Sequence, residues 1–151
     1  MIALALTAAL SVGQLSALEA AGRAAEPYGL ATIFQAIVLQ ESSLCRFKVG
    51  ADGELGCAQI KLATAQEVDP DATAHRLLHD DAYNLRIGAL ILDRCRHRFR
   101  SLPRSIICYN AGPTAVAING PGTGYTTAQA KLHPYYKRIV RRMAEIRVLT
   151  E

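Results

Sequence analysis

Glu41 is the residue in this chain whose position ordinary packing explains least. It follows Ile33 and Ile37 by eight and four residues, and residues four apart share one face of a helix. An apolar face that ends in a carboxylate is unusual. The last turn of a helix also disfavours negative charge, so partial burial and the helix dipole both raise the pKa of such a glutamate. A glutamate kept protonated near neutral pH is what a general acid requires. The ordinary alternative is a half-exposed helix-end side chain that reaches water. Two amides break local rules as well. Gln59 lies among small and apolar neighbours in Gly56-Cys-Ala-Gln-Ile60, and Asn110 lies in Tyr109-Asn-Ala-Gly112. Amides donate and accept, which suits sugar hydroxyls and N-acetyl groups. Their plain structural roles would be a turn amide bonded to backbone and a helix C-cap.

Other chemistry is more weakly supported. His75 and His79 stand at i, i+4, but Arg76 occupies the place where a zinc protease carries Glu, and no Cys-x-x-Cys occurs, so no metal site is expected. Cys45 and Cys57 flank the region after Glu41, yet His133 is far along the chain and nothing fixes a nucleophile pair. The glycines between Gly120 and Gly124 lack a following Lys-Ser/Thr, so no phosphate loop is supported. Arg94, Arg96, Arg98, Arg100 and Arg104 form one basic run, and Arg138, Arg141, Arg142 and Arg147 another. Alternating arginines spread around a helix, so a solvated surface is favoured over a nucleic-acid interface, whose mark would be steep salt dependence.

Taken in order, Glu41-Ser42, Gly56-x-x-Gln59-Ile60, Asn84-Leu-x-x-Gly88-Ala89 and Tyr109-Asn-Ala-Gly112 resemble the soluble lytic transglycosylase (SLT) family of lysozyme-like peptidoglycan-cleaving enzymes. The resemblance extends over about residues 15–145. It implies that Glu41 is the single catalytic acid/base, that Ser42 helps orient the reacting sugar, that Gln59 belongs to the substrate groove, and that Tyr109 and Asn110 line the cleft near the acid. It also implies a late tyrosine at the start of the last helix. Tyr135 and Tyr136 compete for that place, and Ile139 four residues on favours Tyr135. The implied reaction cleaves the bond between N-acetylmuramic acid and N-acetylglucosamine and closes a 1,6-anhydro ring, with no cofactor and with peptidoglycan strands as substrate. The chain departs from the family in three places: Cys45-Arg46 falls where Asn-Pro is common, Gly-Cys-Ala-Gln replaces Gly-Leu-Met-Gln, and the lobe between Glu41 and Gly56 is short. A goose-type-like hydrolytic lysozyme is the rival enzyme, since hydrolases usually pair two carboxylates. Asp52 and Glu54 would supply the second, although Asp52-Gly53 also reads as turn chemistry.

The elements that must position these groups follow from pattern and punctuation. A first helix is expected from Ala3 to Ala25, with Leu4, Ala8, Ser11, Leu15, Leu18 and Gly22 on one face. A second spans Gly29 to Ser42. The helical period is lost from Leu44 to Ile60, where Ala51-Asp-Gly-Glu54 marks a turn in a short hairpin or irregular lobe. Leu62 to Val68 is a short helix, and Asp69-Pro70 reads as the cap and first position of another. Asp80 or Asp81 caps a long helix to Arg100 with Leu85, Gly88, Ala89, Leu92, Cys95 and Phe99 in its stripe. Ser101 caps a helix that reaches Tyr109, residues 119–127 form a loop, and Pro134 opens a last helix to Leu149 with Tyr136, Ile139, Val140, Met143 and Ile146 inward. The expected class is mainly α (α+β, lysozyme-like), a single domain over residues 1–151 with helices around a substrate cleft.

Composition bounds the rest. The chain has 151 residues, 50% hydrophobic and 20% charged, which fits one globular domain with a core of its own and excludes disorder or coiled coil as a whole-chain reading. Aromatics are only 6% with no Trp, so a sugar site would rely on Tyr and hydrogen bonds. A net charge of +4 suits nucleic acid, an anionic envelope polymer or simple solubility. The longest apolar run, Met1 to Val12, is short of the roughly 20 residues of a membrane span. The first cation is Arg23, so a basic leader region is missing and the segment reads as a retained helix. With this, the family resemblance implies a protein that acts on the cell wall, either exported or delivered, as part of a phage particle or a secretion machine. Four cysteines allow three pairings. Cys45 with Cys57 would close the lobe and Cys95 with Cys108 would tie two helices, but the weak export signal favours four buried thiols.

Overall fold

The structure is a computed structural model and describes residues 10–120, 122 and 124–151. Its elements are helical. Helix α1 (Val12–Ala25) begins where Ser11 Oγ accepts from the Gln14 backbone N–H and the Gln14 side chain accepts from the Ser11 N–H, a reciprocal capping box. Ser11 is extended, with ψ 162°. The expected helix from Ala3 therefore does not run through this residue: a good N-cap satisfies the donors that continuity would otherwise bond. Leu4 and Ala8 of the expected stripe lie outside the described residues. Of that stripe Leu18 is buried as expected and Leu15 is 40% exposed, and Ala17, Ala21 and Ala25 complete the packed face.

Helix α2 (Ala31–Ser42) follows a 3-10 turn at Glu26–Tyr28 and carries the fully buried Phe34, Ile37 and Val38. It is the central element. Helix α1 packs along it on one side and the last helix, α9 (Pro134–Thr150), on another. Helix α3 (Leu62–Val68) matches its expected span. The helix expected from Asp69-Pro70 does not form there. Asp69 is extended, and its carboxylate accepts from Tyr83 Oη at 2.6 Å and from the Asp71 N–H. Thr73 caps the next helix, α4 (Ala74–His79), instead. Helix α5 (Asp81–Phe99) is capped by the Asp80 carboxylate, and α6 (Leu102–Ala111) by Ser101. Helix α6 runs two residues past Tyr109 and is ended by Gly112, at φ +84°. The short helices α7 (Pro113–Val116) and α8 (Thr127–Leu132) bracket the expected loop. The buried face of α9 is Tyr135, Ile139 and Ile146, so Val140, expected inward, is 43% exposed.

Between α2 and α3 no strand forms among the described residues. Two isolated bridges, Val49 with Leu55 and Leu55 with Ile60, are all that remains of the hairpin alternative. The chain is instead folded by turns. Ser43, Leu44 and Cys45 all have left-handed backbone, φ 52°, 56° and 68°, a conformation that costs non-glycine residues roughly 1–2 kcal/mol each. The backbone groups of the lobe are taken up by local turns and by Asn84 of α5. Asn84 is fully buried; its Oδ1 accepts from the Ala58 N–H at 2.7 Å, and its Nδ2 donates to the carbonyls of Leu55 and Leu77. One turn further on, a methyl on Gly88 would lie 2.6 Å from Ala58 Cβ and 2.9 Å from Phe34 Cζ. The bare backbone of α5 at Gly88 is thus what lets this helix approach both the lobe and α2.

The cysteines are paired, not free. Disulfides join Cys45 to Cys57 across the lobe and Cys95 of α5 to Cys108 of α6. The sequence argument for thiols rested on the export signal, which carries no information about which sulfurs the fold brings together. No helix among the described residues is long and apolar enough to cross a membrane.

Candidate active site

A cleft of about 700 Å³ opens between the lobe, α3, α5 and α6, and Glu41, Gln59, Tyr109 and Asn110 all line it. Glu41 reaches it from the last turn of α2. Its Oε1 accepts a 2.5 Å hydrogen bond from the hydroxyl of Tyr135, a residue 94 positions away in the first turn of α9. Burial is the main influence on the carboxyl and raises its pKa above the ordinary glutamate value. The Tyr135 hydrogen bond lowers it, the charge of Glu54 raises it, and the Arg138 guanidinium lowers it. Burial prevails, so the proton is held more tightly than in water.

The two tyrosines are neutral donors. Tyr135 is 3% exposed, and burial first, then the neighbouring Glu41 charge, push its pKa well above the usual phenol range. The same two causes raise that of Tyr109. The Tyr109 hydroxyl donates to the Ala58 carbonyl at 2.7 Å, which ties α6 to the lobe. Tyr136, the competitor for the late-tyrosine place, is half-buried and makes no hydrogen bond to Glu41.

Ser42 is placed differently from the other candidates. It is 1% exposed and does not line the cleft. Its hydroxyl donates to the Cys57 carbonyl at 2.6 Å and accepts from the Cys45 N–H at 2.9 Å. It thereby spans the same two residues as the disulfide and holds the lobe to the end of α2, directly behind Glu41. Gln59 has left-handed backbone, φ 51°, and its Nε2 donates to the Gly56 carbonyl at 3.0 Å, which leaves its amide oxygen free of that bond. Asn110 lies inside the last turn of α6 rather than at the helix cap, and its side chain is exposed to the cleft.

Both acids of the lobe line the same cleft. Glu54 is the one whose charge is felt at Glu41, and its Oε2 accepts from the Asp52 N–H at 3.0 Å, closing the turn. The remaining sequence candidates lie elsewhere or are otherwise engaged. His75 and His79 are exposed on α4 with ring centroids 4.5 Å apart, and neither lines the cleft. Cys45, Cys57 and Asp81 come within reach of one another as potential metal donors, but both sulfurs belong to the disulfide, which also removes them as nucleophiles. Within the arginine run, Arg96 pairs with Asp93 and Arg104 lies over the Phe99 ring, whereas Arg94 and Arg98 line the cleft.

Two contributors were not singled out from the sequence. Asn84, read only as part of a motif, is the anchor of the lobe. Arg138 tempers the Glu41 pKa and lies 5.8 Å from the Tyr135 ring centroid; its spacing of three from Tyr135 on one helix face was the available signal.

No curated protein and no solved structure matches the chain. Residues 20–130, from within α1 to within α8, match the family model described as the transglycosylase SLT domain. That span includes α2, the lobe and α6, and stops short of α9 and Tyr135. Because the match takes in well over half of the sequence, the chain belongs to the SLT transglycosylase family and is a lytic transglycosylase.

Proposed function

We propose that this protein cleaves the glycan strand of peptidoglycan between N-acetylmuramic acid and N-acetylglucosamine, with Glu41 as the only acid/base. Glu41 protonates the glycosidic oxygen while the muramic N-acetyl group stabilises the cation-like anomeric centre. The resulting Glu41 carboxylate then removes the proton of the muramic C6 hydroxyl, which attacks C1 and closes a 1,6-anhydro ring. Water is not consumed and no cofactor takes part. Gln59, Tyr109 and Asn110 line the sugar path. Tyr135 holds the Glu41 carboxyl in one orientation, and Ser42 acts from behind, by fixing the lobe.

The observation that carries this reading is the Glu41 carboxyl itself: on the cleft, partly desolvated, with its pKa raised, and bonded to a buried phenol. A general acid needs that combination. The two disulfides suit work in an oxidising compartment such as the bacterial periplasm. Hydrolysis is the second reading, favoured by Glu54 standing on the same cleft. Its engagement in the Asp52 turn argues against a water-activating role.

Mass spectrometry of digested glycan strands separates the two readings. Anhydro-ended products, lighter by one water and without a reducing end, are expected from the wild type. Glu41→Gln should stay folded and lose at least about 10² to 10⁴ in rate. Mostly reducing-end products, together with an inactive Glu54→Gln, would reassign the chemistry to hydrolysis. A fully active Glu41→Gln would remove Glu41 from the mechanism.

A further inference from the structure

The cleft is electrically two-sided. Its lobe side carries Glu41, Asp52 and Glu54, whereas the wall built by α3 and α5 carries Lys61, Arg94 and Arg98, with Glu67 as the only acid among them. None of those three cations has a carboxylate within 4 Å among the described residues, although neighbouring Arg96 and His97 both pair with Asp93. Arg94 is held in place: its Nη1 donates to the Glu67 backbone carbonyl at 3.0 Å, across from α5 to the end of α3. The Arg98 guanidinium lies 5.6 Å from the Phe99 ring centroid. Tyr109 and Asn110 line the same cleft as this wall and Glu41. None of these three cations is among the groups that shift the Glu41 pKa. Three cations without acidic partners, converging on a substrate cleft, are a recognition feature for an anion, and guanidinium forks favour carboxylates.

We propose that Lys61, Arg94 and Arg98 form a carboxylate-binding subsite on the α3–α5 wall, so that the enzyme selects glycan strands by the negative charge they carry. This rests on the reading of the substrate as peptidoglycan. The sugar rings are neutral, so the charge comes from one of two sources. Stem peptides bring free carboxylates, and a muramic residue without its peptide exposes its lactyl carboxylate. Either source presents the same chemistry to the two arginines.

The test compares three soluble strand preparations: strands bearing stem peptides, strands stripped of peptide so that the lactyl carboxylate is free, and stripped strands whose lactyl carboxylates have been converted to methylamides. Both kcat and KM are measured for the wild type, for R94Q/R98Q, for R94K/R98K and for R141Q/R147Q. The last pair removes two exposed arginines that do not line the cleft. The dissociation constants of the three strands for Glu41→Gln, with and without R94Q/R98Q, are measured in parallel. The wild type should show a KM for the neutral strands roughly threefold to tenfold above that for a charged one. R94Q/R98Q should abolish most of this ratio, R94K/R98K should restore part of it, and R141Q/R147Q should leave it in place. The charged preparation with the lower KM identifies the source of the carboxylate. A ratio near one in the wild type, or a ratio that survives R94Q/R98Q, overturns the subsite. If the wild type cleaves none of the strands, the glycan-cleaving reading fails, and the ratio of dissociation constants alone decides the subsite.

Discussion

At the level of single residues the candidate site turns on the Tyr135 hydroxyl and the Glu41 carboxyl, both governed first by burial and then by each other. Their hydrogen bond and the nearby charge of Arg138 lower the Glu41 pKa, whereas burial and Glu54 raise it, and burial prevails. Tyr135→Phe should therefore raise the Glu41 pKa further and free its orientation. A fall in kcat of about tenfold is expected, from roughly 1.5 kcal/mol of charge-assisted hydrogen bonding, with the alkaline limb of the rate profile moved to higher pH. Glu54→Gln should do the reverse on the pH axis. Removing a negative charge stabilises the Glu41 carboxylate, so the acid loses its proton at lower pH and the alkaline limb moves down. Product stereochemistry should not change, and kcat at the acidic side should stay close to wild type. A pH–rate profile of the three proteins checks both shifts. An unmoved limb in Glu54→Gln would separate that acid from Glu41 electrostatically. The same raised pKa has a consequence for stability. Between the unfolded and folded pKa values the native state binds more protons at Glu41, so stability falls as pH rises through that window. Glu41→Gln removes this dependence, and its melting temperature should exceed that of the wild type more at neutral pH than at pH 4.

At the level of elements, the lobe between α2 and α3 has no sheet to hold it, and its conformation is imposed from outside. Asn84 satisfies one lobe N–H and one lobe carbonyl together with the Leu77 carbonyl. Asn84→Ala leaves the Ala58 N–H and the Leu77 carbonyl without partners, while the Leu55 carbonyl keeps its bond from the Ile60 N–H, and should cost about 2 kcal/mol or more. Gly88→Ala places a methyl against Ala58 and Phe34 and should cost roughly 1–3 kcal/mol by overpacking. Because both changes act on the face that carries the lobe, activity per folded molecule should fall with stability. Chemical denaturation and turnover measured on the same samples decide it: full activity in a destabilised Asn84→Ala would mean that the lobe keeps its shape without this anchor.

For the whole molecule, two disulfides join segments whose geometry matters differently. Cys45–Cys57 closes the lobe over three consecutive left-handed residues immediately after Ser42, and Cys95–Cys108 joins α5 to α6 along the cleft. Loops of this length correspond to about 3 kcal/mol each when the unfolded chain is the state restrained. Replacing Cys95 and Cys108 by Ser should therefore lower the melting temperature with the smaller effect on kcat. Replacing Cys45 and Cys57 should lower both, since the strained turn behind Glu41 then keeps only the Ser42 and backbone hydrogen bonds. Peptide mapping without reductant should find both pairs in the active protein; four free thiols in active enzyme would contradict this arrangement.

Several helix starts were legible because capping is a local event, but Asp69-Pro70 misled, since Asp69 bonds Tyr83 and Thr73 caps the next helix. Asp80, Ser101 and Pro134 each stand next to the helix they open, and the α3 span and the α5 stripe follow from periodicity alone. Glu41 could be singled out for the same reason: an acid ending an apolar face is visible within nine residues of sequence. Gln59, Tyr109 and Asn110 were reached through the order of short motifs, and the fold brings them to one cleft with Glu41. Where a strong cap interrupted a longer pattern, as at Ser11, periodicity misled, since a hydrophobic stripe does not record where its backbone bonds stop. Nothing local announces that the Tyr135 hydroxyl meets Glu41, that Ser42 turns inward to the Cys57 carbonyl, or that Cys45 finds Cys57. Those meetings depend on how α9 and α5 pack against α2. That packing is a sum of many weak contacts between distant segments, and no single residue spacing encodes it.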